Sequence, residues 1–265
     1  MTYWQDRLFK AQEAIAAKTT NQVDRQMRKY YKTTMNRVIA DFEDTYNKYL
    51  LSVGEGREPT PADLYNMDKY WQMQGQIKAE LQKLGDRKIK LLSKAFEENW
   101  FDTYYSIVLP QIGHLEERSF STIDNSLVQQ MINQIWVADG KTWSQRVWKD
   151  ADLLAETLNE QLINCVTTGK KTSQLKTMLQ ERFGVSYGRA LTLVRTEVAH
   201  IQTEAAKTRY HDYGIQYVEV LTAHGGKTEP CEQCKALEGK QFPIDGMMPL
   251  PVHPNERCCV VPVVA

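Results

Sequence analysis

The chain of 265 residues has no long apolar run. No stretch approaches the roughly 18–20 consecutive apolar residues that a membrane-spanning helix needs. The N-terminal residues also lack the basic, apolar and small-residue order of a signal peptide. We therefore expect a protein that is made and used without export through a membrane and that has no membrane partner.

The chain also has no net charge, because 33 lysines and arginines balance 33 aspartates and glutamates. No global electrostatic field draws it onto nucleic acid, so any contact with DNA must be local. A local basic excess lies in residues 1–40, where eight basic residues face three acidic ones. The candidate DNA contacts there are Arg25, Arg28, Lys29 and Lys32. A solvated helix face is the simpler explanation for this excess and the one that we favour.

The sequence motifs of common enzymes are missing as well. The sequence contains no P-loop, no Rossmann glycine motif and no G-x-S-x-G nucleophile motif. Four of the histidines show no repeated spacing to a carboxylate or a serine, namely His114, His200, His211 and His224. Because no acid, base and nucleophile come together, we expect a protein that is not an enzyme.

Cysteine is scarce and unevenly placed. The count of five is odd, and four of the five lie in the last 35 residues. Such a cluster, in a protein kept in a reducing compartment, indicates a metal site and argues against a disulfide framework. The remaining cysteine, Cys165, stands among apolar helical positions and is predicted to lie in the core.

The first half of the chain has the apolar period of amphipathic helices. Residues 3–52 are predicted to be helical, in two pieces. Segment 54–59 breaks the pattern, and Thr60 followed by Pro61 predicts an N-cap with proline at the first helical position. The apolar stripe of that helix meets Gly85, after which another helix is predicted. Two antiparallel helices are the simplest packing for this region.

The second half predicts a platform of three helices. Apolar spacing over residues 143–166 predicts the first, and Gly169 stands where a left-handed residue would end it. The second is predicted to close at Gly184. Ser186 is a good N-cap for the third helix, which is predicted to run to Gly214.

Beyond Gly214 the apolar period changes from 3.6 to about 2. Residues 217–221 and 260–264 are β-prone, and six of the nine prolines lie in this part of the chain. A segment with so few apolar residues needs an additional cross-link to fold stably. The predicted fold class is mainly α with a small C-terminal α+β lobe of short strands. The predicted domains are a helical arm, residues 1–138, and a second domain, residues 139–265.

The cysteines of this lobe have the spacing of a zinc site. Cys231 and Cys234 form a C-x-x-C pair, and His253 precedes the adjacent cysteines Cys258 and Cys259. Neighbouring side chains in an extended segment point to opposite faces, so only one of the adjacent pair should bind. The predicted set is Cys231, Cys234, His253 and Cys258, in a knuckle over about residues 222–260. Four protein ligands would make the zinc structural, whereas the alternative is a group of buried apolar thiols.

Several motifs in order resemble the Mu F-like minor head protein family over about residues 140–265. They are Trp143-Ser144-Gln145-Arg146-Val147-Trp148, Val194-Arg195-Thr196-Glu197, Cys231-x-x-Cys234-x-x-Leu237-x-Gly239-Lys240-x-Phe242 and His253-Pro254-Asn255-x-Arg257-Cys258. The resemblance implies a minor capsid protein of a tailed bacteriophage, made in the cytoplasm of the bacterial host and carried in the virion. It implies head morphogenesis at the portal or the inner head, a part in DNA packaging or ejection, and the portal protein, the major capsid protein and packaged phage DNA as partners.

The chain departs from that family at the metal ligands. Glu256 stands where the family commonly has a cysteine, and Cys259 is extra. The fourth ligand is therefore open between Cys258, Cys259 and Glu256.

Two further functions stay open beside the structural one. A zinc-knuckle nucleic-acid-binding module is the first. A toxin-like enzyme using Arg195 and Glu197 is the second, but residues two apart on a helix do not share a face. We expect Arg195, Glu197 and Arg257 to form a structural motif that tethers a helix to the lobe.

Overall fold

The computed structural model describes residues 3–53, 60–109, 123–222, 229–246 and 250–263. Its elements, in chain order, are α1 Tyr3–Val53, α2 Pro61–Tyr65, α3 Asp68–Ser106, α4 Asn125–Ile132, α5 Trp143–Thr167, α6 Thr172–Asp212, β1 Tyr217–Leu221, α7 Glu232–Lys235, β2 Gln241–Pro243 and β3 Cys259–Pro262. This confirms a mainly α fold with a small C-terminal α+β lobe. None of the described helices is both long and apolar enough to cross a membrane.

Several helix ends follow the signals in the sequence. Thr60 caps α2, its backbone N–H donates to the Asp63 carboxylate, and Pro61 takes the first helical position. Gly169 and Gly214 adopt positive φ angles of 61° and 71° just after α5 and α6. Only glycine reaches this region without a steric cost, so both helices end where predicted.

Three predicted helix breaks are wrong. Residues 3–53 form one helix, α3 continues through Gly85, and α6 continues through Gly184 and Ser186, so the predicted three-helix platform has two helices. Ser186 is buried and donates from Oγ to Asp150, 2.6 Å away, instead of capping a helix. A Cβ atom at Gly85 would collide with the Trp148 ring, so this glycine marks a close approach of two helices.

The chain forms two compact units, each built from separate segments. Unit 1 comprises residues 1–23, 92–143 and 192–265, and unit 2 comprises residues 24–91 and 144–191. Each unit combines residues from both sides of the predicted boundary at 138/139. The two units defined by packing therefore differ from the two domains predicted from the sequence pattern. Separate folding of residues 139–265 stays a prediction.

Unit 2 contains a buried charge network. Lys88 is 2% exposed, and its ammonium lies 3.0 Å from the Tyr31 hydroxyl and 3.6 Å from the Asp150 carboxylate. The same carboxylate accepts hydrogen bonds from Ser186 Oγ and Arg189 Nε, both at 2.6 Å. The network joins α1, α3, α5 and α6, and it compensates the charge of the buried lysine.

We expect the substitution Asp150→Asn to destabilise unit 2 by about 2 kcal/mol, because it leaves Lys88 buried without its carboxylate. The cost falls below that of a fully buried pair because Asn keeps hydrogen-bonding atoms and Asp150 is partly exposed. Denaturant unfolding of both variants would measure it. The matched control is Asp152→Asn, an exposed position on the same helix, which should change stability by less than about 0.5 kcal/mol. Equal stability of the two variants would contradict the role of the network.

In unit 1, the three strands form an antiparallel sheet in the order β2-β1-β3. Val218 pairs with Phe242 of β2, while Val220 and Leu221 pair with Val260 and Cys259 of β3. The buried side chains of β1 and β3 share a core with residues of α1 and α6, among them Leu8, Phe9, Ala206 and Tyr210. The predicted strands β1 and β3 are confirmed, whereas the three-residue β2 was not predicted.

Candidate metal centre

The C-x-x-C pair lies at a short helix. Cys231 is the N-cap of α7, and its sulfur accepts a hydrogen bond from the Cys234 backbone N–H at 3.5 Å. The two sulfur atoms are 3.5 Å apart. Cys234 is buried and Cys231 is exposed. The α7 turn therefore holds two thiol groups on one side of a small space.

His253 completes a compact group of three donors. Its Nε2 atom lies 3.2 Å from Cys231 Sγ and 3.1 Å from Cys234 Sγ. Its Nδ1 atom lies 2.9 Å from the Pro254 carbonyl oxygen, to which a protonated Nδ1 donates. That tautomer leaves the Nε2 lone pair facing the two sulfur atoms, which is the arrangement of a metal-binding histidine.

A second group of donors shares Cys234. The Glu256 carboxylate and the Cys258 thiol lie with Cys234 so that one donor atom of each is within 4.8 Å of the others, and all three residues are buried. Cys259 is also buried, but it belongs to β3, where it pairs with Leu221. Among the described residues, neither group includes Cys259. The structure thus brings together all four predicted ligands, in two overlapping groups that could hold a metal ion.

The pKa values of these thiols differ with their surroundings. The Cys234 backbone N–H lowers the pKa of Cys231 by its hydrogen bond to the sulfur. Burial raises the pKa of Cys234 to about 11, and burial followed by the nearby Glu256 carboxylate raises the pKa of Cys258 strongly. Because a metal ligand must be a thiolate, a bound divalent cation would have to offset these burial costs and displace the protons.

Asn255 connects the lobe with α6. Its backbone N–H donates to Thr196 Oγ1 at 3.2 Å, and its side-chain oxygen accepts a weak bond from Arg195 at 3.5 Å. Arg257 forms an exposed ion pair with Glu13 of α1 at 3.5 Å. Asn255 has a positive φ of 62°, a conformation that asparagine tolerates in turns. No contact of this residue was predicted from the sequence.

Glu197 takes part in a different contact. Its buried carboxylate accepts a hydrogen bond from the Trp136 indole at 3.0 Å, and the Trp136 ring stacks on His200 at 4.3 Å between centroids. His211 is exposed, whereas His114 and His224 lie outside the described residues.

The four candidate DNA contacts lie on α1. Arg25, Arg28, Lys29 and Lys32 are exposed, and their spacing puts them on one helix face. Arg28 pairs with Asp24 at 3.0 Å and lies over the Tyr187 ring. Part of the basic charge on this face is therefore already compensated within unit 2.

Residues 156–261 match the model of the family described as "Phage Mu protein F like protein". This segment is Mu F-like. The match confirms the family predicted from the sequence motifs for this part of the chain. The Mu F-like segment contains α6, all of the sheet except the last residue of β3, every donor of the two groups that could hold a metal ion and the Arg195–Asn255 contact.

A curated relative matches a wider region at low identity. The chain is 23% identical over 160 residues to the NAD(+)–arginine ADP-ribosyltransferase EFV of Enterococcus faecalis (strain ATCC 700802 / V583). The aligned region is 58% of this chain and 31% of that protein, so the chain spans about a third of its relative's length. No solved structure gave a significant match.

Proposed function

We propose that the chain is a structural minor capsid protein of a tailed bacteriophage that acts in head morphogenesis and is carried in the virion. The observation that carries this proposal is the Mu F-like match over residues 156–261. We assign its position to the portal or the inner head, with a part in DNA packaging or ejection. The partners are then the portal protein or the major capsid protein.

Two surfaces of the helical part support contacts with such partners. The side chains of Tyr65 and Trp71 are 40% and 59% exposed, and their rings stack at 6.3 Å between centroids. Exposed aromatic residues are enriched in protein interfaces. The basic face of α1 is the candidate contact with packaged DNA, and its contribution would fall as salt rises.

One structural Zn²⁺ ion would stabilise the C-terminal lobe. Cys231, Cys234 and His253 are donor types that zinc prefers, and they lie close enough together to share one ion. The fourth ligand comes from Cys258, as predicted, or from Glu256, since both are buried beside Cys234. With four protein ligands no position remains for water or substrate, so the ion would contribute to folding only.

A toxin-like enzyme is the alternative that the relative's name raises. The chain spans only 31% of that protein, so its activity does not carry over. Glu197 is 1% exposed and bonded to Trp136, which removes its carboxylate from a substrate in solution. We therefore propose that the chain has no turnover of its own. A zinc-knuckle nucleic-acid module has less support, because the basic face is partly compensated.

The test uses a phage in which the gene for this protein is disrupted and supplies either the wild-type protein or the Glu197→Gln variant from a plasmid. Mass spectrometry then quantifies the protein in purified heads. We expect few copies per head for both proteins, because the proposed role requires assembly and not turnover. Purified protein should not hydrolyse NAD⁺. Absence of the wild-type protein from heads would contradict the structural role. NAD⁺ hydrolysis that the Glu197→Gln variant loses would establish the enzyme instead.

A further inference from the structure

Glu256 has an unusual environment for a carboxylate. Its side chain is 4% exposed, and Oε2 accepts hydrogen bonds from the backbone N–H groups of Val252 and His253. Its other oxygen, Oε1, is buried and has no hydrogen-bond partner among the described residues. A buried polar atom without a partner destabilises the folded state. Such an atom needs an explanation, and a cation is one.

The Glu256 carboxylate belongs to the second group of donors. The Glu256 carboxylate lies within 4.8 Å of the sulfur atoms of Cys234 and Cys258. Cys234 is also a member of the compact group with Cys231 and His253. Since Cys234 belongs to both groups, a cation bound by Cys231, Cys234 and His253 would lie near the Glu256 carboxylate, and zinc also accepts carboxylate oxygen as a ligand.

The spacing of the donors supports the same ligand. His253 and Glu256 are three residues apart, as are Cys231 and Cys234. In each pair a backbone N–H bonds to one of the donor groups, from Cys234 to the Cys231 sulfur and from His253 to Glu256 Oε2. Each donor pair thus lies on a short turn of the same span, which is the ligand spacing of closed zinc sites.

Cys258 can be buried without a bound cation. A neutral thiol is among the groups most readily buried in a protein core, and it needs no charged partner there. Cys258 directly precedes β3 and is a member of the apolar core of unit 1. Packing and a thiol contact with the Glu256 carboxylate account for the burial of Cys258, whereas Glu256 Oε1 has no hydrogen-bond partner among the described residues.

We propose that Glu256 supplies the fourth ligand, so that the ion is held by Cys231, Cys234, His253 and Glu256 while Cys258 stays a buried thiol. This inference rests on the proposed structural zinc site. It changes the ligand set from three sulfur atoms and one nitrogen to two sulfur atoms, one nitrogen and one oxygen.

The test titrates the full-length, metal-free protein with Co²⁺ alone. Absorption bands in the visible range report a tetrahedral ion, and the intensity of the thiolate-to-cobalt charge-transfer band reports the number of bound thiolates. We expect the intensity of two thiolates in the wild type and no change in Cys258→Ala. Glu256→Gln should weaken Co²⁺ binding by at least about tenfold, since loss of even an outer-shell partner costs that much. Glu256→Cys should raise the intensity by about half, because a third thiolate enters the set.

The opposite pattern would overturn the inference. An intensity of three thiolates in the wild type that falls in Cys258→Ala, with unchanged affinity in Glu256→Gln, would make Cys258 the fourth ligand and leave the structural zinc site intact. If the wild type binds no Co²⁺ and contains no zinc when purified, the proposed metal site itself fails. The Glu256→Cys variant guards against misfolding of Glu256→Gln, because it gains a signal instead of losing one.

Discussion

Removal of the proposed zinc ion is expected to unfold the C-terminal lobe. The three strands contain only 12 residues in total, five, three and four, and the loops between them are long. Binding of structural zinc contributes on the order of 10–16 kcal/mol of folding free energy, which equals or exceeds the usual stability of a whole domain. Without the ion, the buried Cys234 and the turn that carries His253 lose their common partner. We expect the strands to lose protection with them.

Hydrogen exchange measures this loss directly. The β1 amides of Val218 and Val220 should exchange slowly in the zinc-bound protein and fast after chelation or in Cys234→Ser. Glu232→Gln is the matched control, because Glu232 lies between the two cysteines with its side chain 91% exposed. That variant should keep both zinc and protection. Equal protection of the β1 amides with and without metal would show that packing alone folds the lobe.

Local signals in the sequence predict the features that depend on neighbouring residues. The capping sequence at Thr60 and the glycines at 169 and 214 act within one turn of chain, so their structure could be predicted. The two cysteines of α7 are likewise fixed by their three-residue spacing. The approach of His253 to them depends on a loop return, yet the donor types predicted it.

Tertiary contacts decide the features that the sequence pattern missed. Ser186 has the residue type of an N-cap, but its contacts with Tyr31 and Asp150 bury it within a continuous helix. Gly85 resembles a helix end, but its missing Cβ leaves room for Trp148. The partners of both residues lie far away in the sequence. No local period contains them, so the breaks predicted there were wrong.

Tertiary contacts also determine the division of the chain into two compact units. Long helices run through both units, so a boundary read from periodicity does not mark where the chain divides by packing. In unit 1, Gln12 of α1 donates to the Val260 carbonyl and accepts from Gln202 of α6 through its own carbonyl. These contacts connect the N-terminal helix with the Mu F-like segment. Point substitutions are therefore better probes of function than truncations.

Acidification is expected to destabilise unit 1 through His200. Burial lowers the pKa of this histidine to about 4, and the positive charge of Lys207 acts in the same direction. His200 is 6% exposed, its ring stacks on Trp136, and the indole N–H of Trp136 donates to the Glu197 carboxylate. The folded protein therefore keeps His200 neutral at a pH where the unfolded chain protonates it.

The direction of this change in stability follows from which state binds more protons. Between about pH 6.5 and pH 4 the unfolded state binds the extra proton, so stability falls as the pH falls, by up to about 1.4 kcal/mol per pH unit and about 3 kcal/mol in total. His200→Phe keeps a flat ring against Trp136 but cannot titrate. From pH 7 to about pH 4, denaturant unfolding should show the wild type losing about 3 kcal/mol more than this variant, since losses from carboxylates and metal ligands are common to both. His211→Gln, at an exposed position on the same helix, should follow the wild type. Parallel pH profiles for the wild type and His200→Phe would show that His200 is protonated equally in the folded and unfolded states.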